Sequence, residues 1–289
     1  MANADVEDPH RQCLKDLSPS LRSTAEFLLD SANRLNWGDL SHSIIMDMGC
    51  GVSSLEIFKT VFPKFHKVIA VDKSFNFINY LKFYRKHGNM EYRVADITNR
   101  STLIEWEAKM SKIVSFYCFN CLTDQKSGFA NIHYLLQPGG EAIILTALKN
   151  PHFECARFLL QKPKWSMYQH LEKKFTDFQA HGTGIGFYEK ILNDLDFEII
   201  SCVEDFRVIA FATEEEFRAS ALTKDRVIAA HLPINVLKEF EEEYIQALME
   251  INGRSSIGEY YLHTSTAKIL IRKKNLNIKS NIKVDTMST

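Results

Sequence analysis

The stretch Ser43-Ile44-Ile45-Met46-Asp47-Met48-Gly49-Cys50-Gly51-Val52-Ser53-Ser54 constrains the fold of this chain more than any other: an apolar run, an acid, then two closely spaced glycines before a helical pattern. Ile44 to Met46 carry no polar interruption, which suits a parallel strand covered on both faces. Gly49 and Gly51 permit positive φ and let a ligand approach the backbone. Ser53 or Ser54 is placed to cap the next helix, whose Leu55, Phe58, Val61 and Phe62 recur at helical spacing. A ligand is therefore expected over a helix N-terminus, at the end of a strand.

Two glycine patterns make such a turn. The dinucleotide fingerprint G-x-G-x-x-G needs a third glycine where Ser54 stands. The alternative is D-x-G-x-G, and Asp47, Gly49 and Gly51 fit it. Here the chain resembles the class I methyltransferases that use S-adenosyl-L-methionine, whose first motif has this form. An acid at the strand end suits a ligand with a sulfonium and an amino group better than one with a pyrophosphate. A plain glycine turn is the competing reading, and the segments that follow weigh against it.

Lys67 to Asp72 is a second buried strand ending in an acid. Asp72 lies about 20 residues beyond the glycines, where a nucleoside site places the carboxylate that accepts from ribose hydroxyls; a surface cap for the next helix is the alternative. Lys73 follows it on the cofactor side. Ser74 is an equally good cap, and Phe77, Ile78, Leu81 and Tyr84 are expected to share one face of a helix ended by Gly88. Met90 to Ile97 reads as a third strand. The family resemblance implies that its terminal acid, Asp96, accepts from the adenine amino group while Ile97 packs on the ring, although Asp96 also suits a turn toward Asn99. Ile113 to Leu122 is a fourth strand with its exit loop, and Ser115 joins the cofactor-side candidates. A helix through Phe129, Ile132 and Leu136 then leads into Leu135-Leu136-Gln137-Pro138-Gly139-Gly140, which resembles the LLxPGG turn of the superfamily, and a fifth strand, Glu141 to Thr146. This order of strand-helix units predicts an α/β fold: a doubly wound, seven-stranded, Rossmann-like methyltransferase sheet.

After Asn150 the pattern changes to helices rich in aromatics: Phe153, Phe158, Trp165, Tyr168, Phe175 and Phe178. Most of these suit a core, and a helical cap inserted at about 150–182 would wall an acceptor site over the strand ends. His181-Gly182-Thr183-Gly184-Ile185-Gly186 lacks the preceding strand and following Lys-Ser or Lys-Thr of a phosphate loop, and reads as a hinge back to the sheet. A helix over Phe187 to Leu195, a sixth strand over Phe197 to Val203 and a last, antiparallel strand near the sheet edge, Tyr261 to Arg272, follow. The glutamates at 214–216 and 239–243 read as solvated helix faces opposite Val236, Phe240, Tyr244 and Leu248. The domain is placed at 21–272, preceded by a polar, fraying N-terminus (1–20), with a first amphipathic helix near Leu21 to Leu35, and followed by a polar, disordered tail (273–289).

A net charge of −1 argues against nucleic acid and against a membrane surface, and no apolar run reaches membrane-spanning length. A cytoplasmic protein is expected. The six cysteines are scattered as reduced thiols, and the lone pair Cys118 and Cys121 suits the wall of a pocket better than a metal site.

Finer resemblance is carried by Val114-Ser115-Phe116-Tyr117-Cys118, Asn131-Ile132-His133-Tyr134-Leu135-Leu136, Lys164-Trp165-Ser166 with Phe175, and Ile191-Leu192-Asn193-Asp194 before Phe197. Together these resemble the juvenile hormone acid O-methyltransferases of arthropods, over roughly residues 25 to 272. That resemblance implies methylation of the carboxylate of a small, apolar, farnesoid-like acid. Asn120 and Cys121 stand where the family has His and Trp, Ser53 replaces a usual glycine, and Ser20 or Leu21 falls near the family's substrate-facing glutamine. On the acceptor side, Asn120 is expected to hydrogen-bond the substrate, with Phe116, Tyr117, Cys121 and Trp165 as walls. A phenol or amine acceptor, which would require a base, and a non-catalytic cofactor-binding protein are the alternatives.

Overall fold

A computed structural model describes residues 14, 17, 19–171, 184–229, 231–252 and 260–275. Seven strands among them form one sheet: β1 (Leu40–Met48), β2 (Phe65–Asp72), β3 (Met90–Val94), β4 (Met110–Phe116), β5 (Leu136–Lys149), β6 (Phe197–Phe211) and β7 (Tyr260–Lys273). Their order is β3-β2-β1-β4-β5-β7-β6. The first five are parallel, and β7 is antiparallel to both its neighbours. Chain order reverses at β1, which lies between β2 and β4, so a crevice opens at the carboxyl ends of these strands.

Alternation along the strands divides the apolar residues between two layers. Ile45, Val68, Val114 and Ile143 pack with α1 (Pro19–Arg34), α2 (Ser54–Val61) and α3 (Phe75–Tyr84). Met46, Ile69, Ile113 and Ile144 pack with α4 (Gln125–Leu135) and α6 (Ile185–Asp194) on the opposite face. Leu55, Phe58 and Val61 of α2 are buried as their spacing predicts.

Several local expectations are corrected. Ser53 occupies the N-cap of α2 without a side-chain capping bond, whereas Ser74 caps α3 by accepting from the Phe77 amide (3.3 Å). On α3 only Ile78 and Leu81 are buried; Phe77 and Tyr84 point outward, because this helix lies toward the thin end of the sheet that β3 closes. The Pro-Gly-Gly turn is a looped-out stretch inside β5: Met110 pairs with Leu136, and Lys112 already pairs with Glu141. β6 extends to Phe211 and takes the edge, and β7 is inserted beside β5.

The cap has two parts. α5 (Pro151–Leu160) and the 3-10 turn Ser166–Leu171 pack against α7 (Glu214–Ala229) and α8 (Ile234–Asn252), which arise between β6 and β7, around Trp165, Phe217, Phe240 and Tyr244. Val236 and Leu237 pack against the edge of this cluster. The expected cap residues 172–182, with Phe175, Phe178 and the first half of the proposed hinge (181–183), lie outside the described residues, as do 1–13 and 276–289. No helix among the described residues is long and apolar enough to cross a membrane.

At the amino end of the sheet Glu141 is 4% exposed. Its carboxylate accepts from Lys112 Nζ (2.6 Å), Trp37 Nε1 (2.7 Å) and Arg272 Nη2 (2.8 Å), which ties β4, β5, β7 and the segment before β1 together.

Candidate functional site

The turn after β1 uses its own amides. Gly49 and Cys50 both donate to the Val71 carbonyl (2.8 and 3.0 Å), and Gly51 donates to Asp72 Oδ2 (3.0 Å). Three successive N–H groups are thus spent on β2 and are not free to cradle a phosphate. Gly49 (φ +78°) and Gly51 (φ +54°) hold left-handed backbone for different reasons. A Cβ at Gly51 would meet nothing within 4 Å, which leaves the cavity side open for a ligand. A Cβ at Gly49 would lie 2.1 Å from Cys118 Sγ and 2.6 Å from Cys118 Cβ. Gly49→Ala should therefore push the exit loop of β4 aside, with a stability loss of about 1–3 kcal/mol. Urea unfolding measures that loss, and an unchanged midpoint would show that the turn tolerates a side chain.

Over this turn lies a cavity of about 470 Å³. Three carboxylates line it, Asp47 near the end of β1, Asp72 at the end of β2 and Asp96 just past β3. Asp72 Oδ1 accepts from the Ser74 amide (2.8 Å), so each of its oxygens holds one backbone donor and keeps further acceptor capacity. Asp96 Oδ1 accepts from both the amide and the hydroxyl of Thr98 (2.9 and 2.8 Å). Ile97, 4% exposed, and Lys73 also line the cavity. Ser115 does not: it is fully buried and donates to the Met48 carbonyl (2.7 Å), clamping β4 to β1 beneath the site.

The wall opposite the acids comes from α1 and from the exit of β4. Leu21 and Thr24 contribute from α1; Leu21 lies where the resemblance places a substrate-facing residue, whereas Thr24 carried no sequence signal. Phe116, Tyr117, Cys118, Cys121 and Leu122 complete it. Tyr117 has φ +52°, a conformation that costs a bulky residue free energy, and its amide bonds the Leu145 carbonyl (2.7 Å). This kink keeps the phenol half exposed in the cavity and starts the 3-10 turn Phe119–Cys121. Asn120 is consequently turned away, 7% exposed, with Oδ1 accepting from Thr146 Oγ1 and the Ala147 amide (both 3.4 Å). The expected contact of Asn120 with an acceptor is replaced by these bonds to β5. Trp165 is likewise remote from the cavity lining, held in the cap core with its Nε1 donating to Glu243 (2.9 Å).

Burial pushes the Cys121 thiol up to about 12, with Lys73 opposing and Asp72 adding to the rise. Cys118 and Cys50 are raised further, again by burial first, with Asp47 and Asp72 adding to it. All three thiols stay protonated at neutral pH and serve as small, soft wall groups. Tyr117 is also raised by burial. Among the described residues no group of His, Cys, Asp and Glu is arranged to hold a metal ion.

Comparison with known proteins places this geometry. The chain is 22% identical over 275 residues to the juvenile hormone acid O-methyltransferase of Drosophila melanogaster, covering 90% of this chain and 91% of that one. Its fold is shared with the YcgJ protein of Bacillus subtilis (TM-score 0.57, 9% identity, 88% of this chain and 99% of that one). It is shared too with the [4+2]-cyclase SpnF (TM-score 0.51, 13% identity, 86% and 80%). Residues 39–185, more than half of the chain, match the family model described as a methyltransferase domain. That segment holds the glycine turn, all three strand-end acids and the exit loop of β4, and it sits in a seven-stranded α/β sheet; the chain belongs to the methyltransferase-domain family.

Proposed function

We propose that the cavity binds S-adenosyl-L-methionine and that the chain transfers its methyl group to the carboxylate of an apolar, farnesoid-like acid, giving a methyl ester. The row of acids Asp47, Asp72 and Asp96 above a glycine turn whose Gly49, Cys50 and Gly51 amides are all bonded to β2 carries the donor half of this reading. Such a lining favours a cationic, hydroxyl-bearing ligand and disfavours a pyrophosphate. Bound there, S-adenosyl-L-methionine supplies an electrophilic methyl group. Asp72 offers its remaining lone pairs to ribose hydroxyls, Asp96 accepts from the adenine amino group, and Ile97 packs on the ring. Gly51 leaves room for the ligand to approach the backbone, and Asp47 places negative charge beneath the cationic end.

The acceptor half rests on what the wall is made of. Leu21, Phe116, Tyr117, Cys118, Cys121 and Leu122 are apolar or weakly polar, and no histidine lines the cavity among the described residues. With the thiols and Tyr117 held protonated, the wall lacks a base for a phenol or an ammonium group. A carboxylic acid with a pKa near 4.3 needs none, being ionised at neutral pH. Lys73, close enough to Cys121 to oppose the rise of its thiol pKa, adds positive potential on that side. What the wall contributes is alignment and exclusion of water. The relation to the Drosophila melanogaster enzyme supports an acid of this kind.

Methyl ester formation from a farnesyl-length acid should be flat from about pH 6 to 8, since neither partner loses a proton in that window. Each buried CH₂ contributes about 0.8 kcal/mol, so a geranyl-length acid, one isoprene unit shorter, should bind well over tenfold more weakly. A steep rise with pH, equal use of both acids, or transfer only to hydroxyl or amine acceptors would sink the carboxylate reading. No transfer to any acceptor would favour a non-catalytic role.

A further inference from the structure

Helix α3 turns all five of its aromatic residues toward solvent. Phe75, Phe77, Tyr80, Phe83 and Tyr84 are 63, 46, 41, 75 and 75% exposed, and only Ile78 and Leu81 hold the helix to the sheet. Single exposed apolar residues are ordinary, but five exposed aromatic rings within three helical turns, with Tyr80 and Tyr84 in ring contact (5.2 Å), concentrate apolar surface that calls for a partner.

The surroundings of the patch are basic. Residues 63–93 contain five lysines and two arginines against one aspartate and one glutamate, net +5 in a chain of net −1. Glu91 is taken by Lys67 and Arg93 (both 2.5 Å), and Glu56 of α2 by Arg85 (2.8 Å). Lys82 and Lys86 are exposed and form no salt bridge among the described residues; with His87 and Arg93 they line one shallow groove. Val52, Phe77, Tyr80 and Arg85 line a second groove, and Phe77 also lines the site cavity. The aromatic and basic face therefore runs from the free end of α3 to the mouth of the site.

We propose that this face docks the protein, peripherally and reversibly, on an anionic lipid bilayer. Aromatic rings flanked by lysines match the chemistry of a headgroup layer, where rings sit at the apolar boundary and ammonium groups meet lipid phosphates. The positive face supplies the charge complementarity, and the small net charge of the chain, read above as evidence against a membrane surface, conceals it. Continuity through Phe77 sets the cavity mouth against the lipid. The docking is independent of which acceptor the site takes.

Sedimentation with phosphatidylcholine vesicles, with and without phosphatidylserine, tests this. The protein should sediment with the anionic vesicles, lose binding at high salt, and bind neutral vesicles at least tenfold more weakly. Each basic residue near an anionic surface contributes roughly fivefold to partitioning, so Lys82→Glu with Lys86→Glu should weaken binding by well over tenfold. Phe83→Ser with Tyr84→Ser should weaken it on the apolar side by about tenfold or more. Both pairs lie outside the cavity, so titration with S-adenosylhomocysteine should be unchanged in each and confirms that the variants are folded. Failure of the wild type to bind anionic vesicles, or wild-type binding by both double variants, would overturn the proposal. So would a dimer in gel filtration that these substitutions dissociate, because a second copy would then be the occupant of the face.

Discussion

Glu141→Gln is expected to destabilise the fold by about 3 kcal/mol, the low end of the range for breaking a buried ion pair. The substitution leaves the charges of Lys112 and Arg272 and the Trp37 N–H facing a neutral amide that can accept at only one of its two ends. The low end applies because the Arg272 side chain is 36% exposed and retains Glu198 (3.1 Å). Burial pushes the Glu141 carboxyl up, but hydrogen bonds from Lys112 and Arg272 outweigh it, so the net shift is downward. A depressed carboxyl adds stability that is complete above the unfolded pKa of about 4.3 and is lost as the pH falls through the lower native value. The gap between wild type and Glu141→Gln in urea unfolding should be constant from about pH 6 to 8 and shrink in acid. Equal midpoints at neutral pH would show that the network is stabilisation-neutral.

Asp72→Ala should weaken binding of S-adenosylhomocysteine by tenfold or more. Hydrogen bonds to a charged acceptor contribute about 1.5–3 kcal/mol each, and the substitution also frees the Gly51 and Ser74 amides that Asp72 now fixes. Asp72→Asn separates the two effects only in part. Its oxygen can keep one of the two amides, while its NH₂ would face the other as donor against donor. Asn should therefore fall between wild type and Ala in calorimetric titration. An alanine variant within twofold of wild type would remove Asp72 from the site and with it the donor reading, whatever the acceptor proves to be.

The face formed by α3 shows how a correct local reading can point the wrong way. Ser74 and the helical spacing of Phe77, Ile78, Leu81 and Tyr84 identify the helix, but spacing alone does not say how much sheet lies beneath it. Because α3 packs near the margin of the sheet, it has room to bury Ile78 and Leu81 and little more. The glutamate-rich helices α7 and α8 show the converse. Their acidic stripes read as solvated faces, while the opposite stripe, with Phe240, Tyr244 and Leu248, closes the cap core against α5.

By itself the sequence determined the parallel sheet, the glycine turn and the candidate acids Asp47, Asp72 and Asp96, because strand, turn and helix of one unit are joined within a few residues and carry their ligand groups at fixed local offsets. Only the tertiary structure decided the direction of Asn120, which follows from positive φ at Tyr117 and from donation by the Thr146 hydroxyl and the Ala147 amide, on the next strand, to its Oδ1. It also decided that Ser115 clamps two strands, that Trp165 belongs to the cap core, and that Trp37, Lys112 and Arg272 meet on Glu141. Each of these depends on contacts between residues far apart in the chain, where hydrophobic period and motif spacing carry no information about which side chains will share a buried volume or compete for one carboxylate.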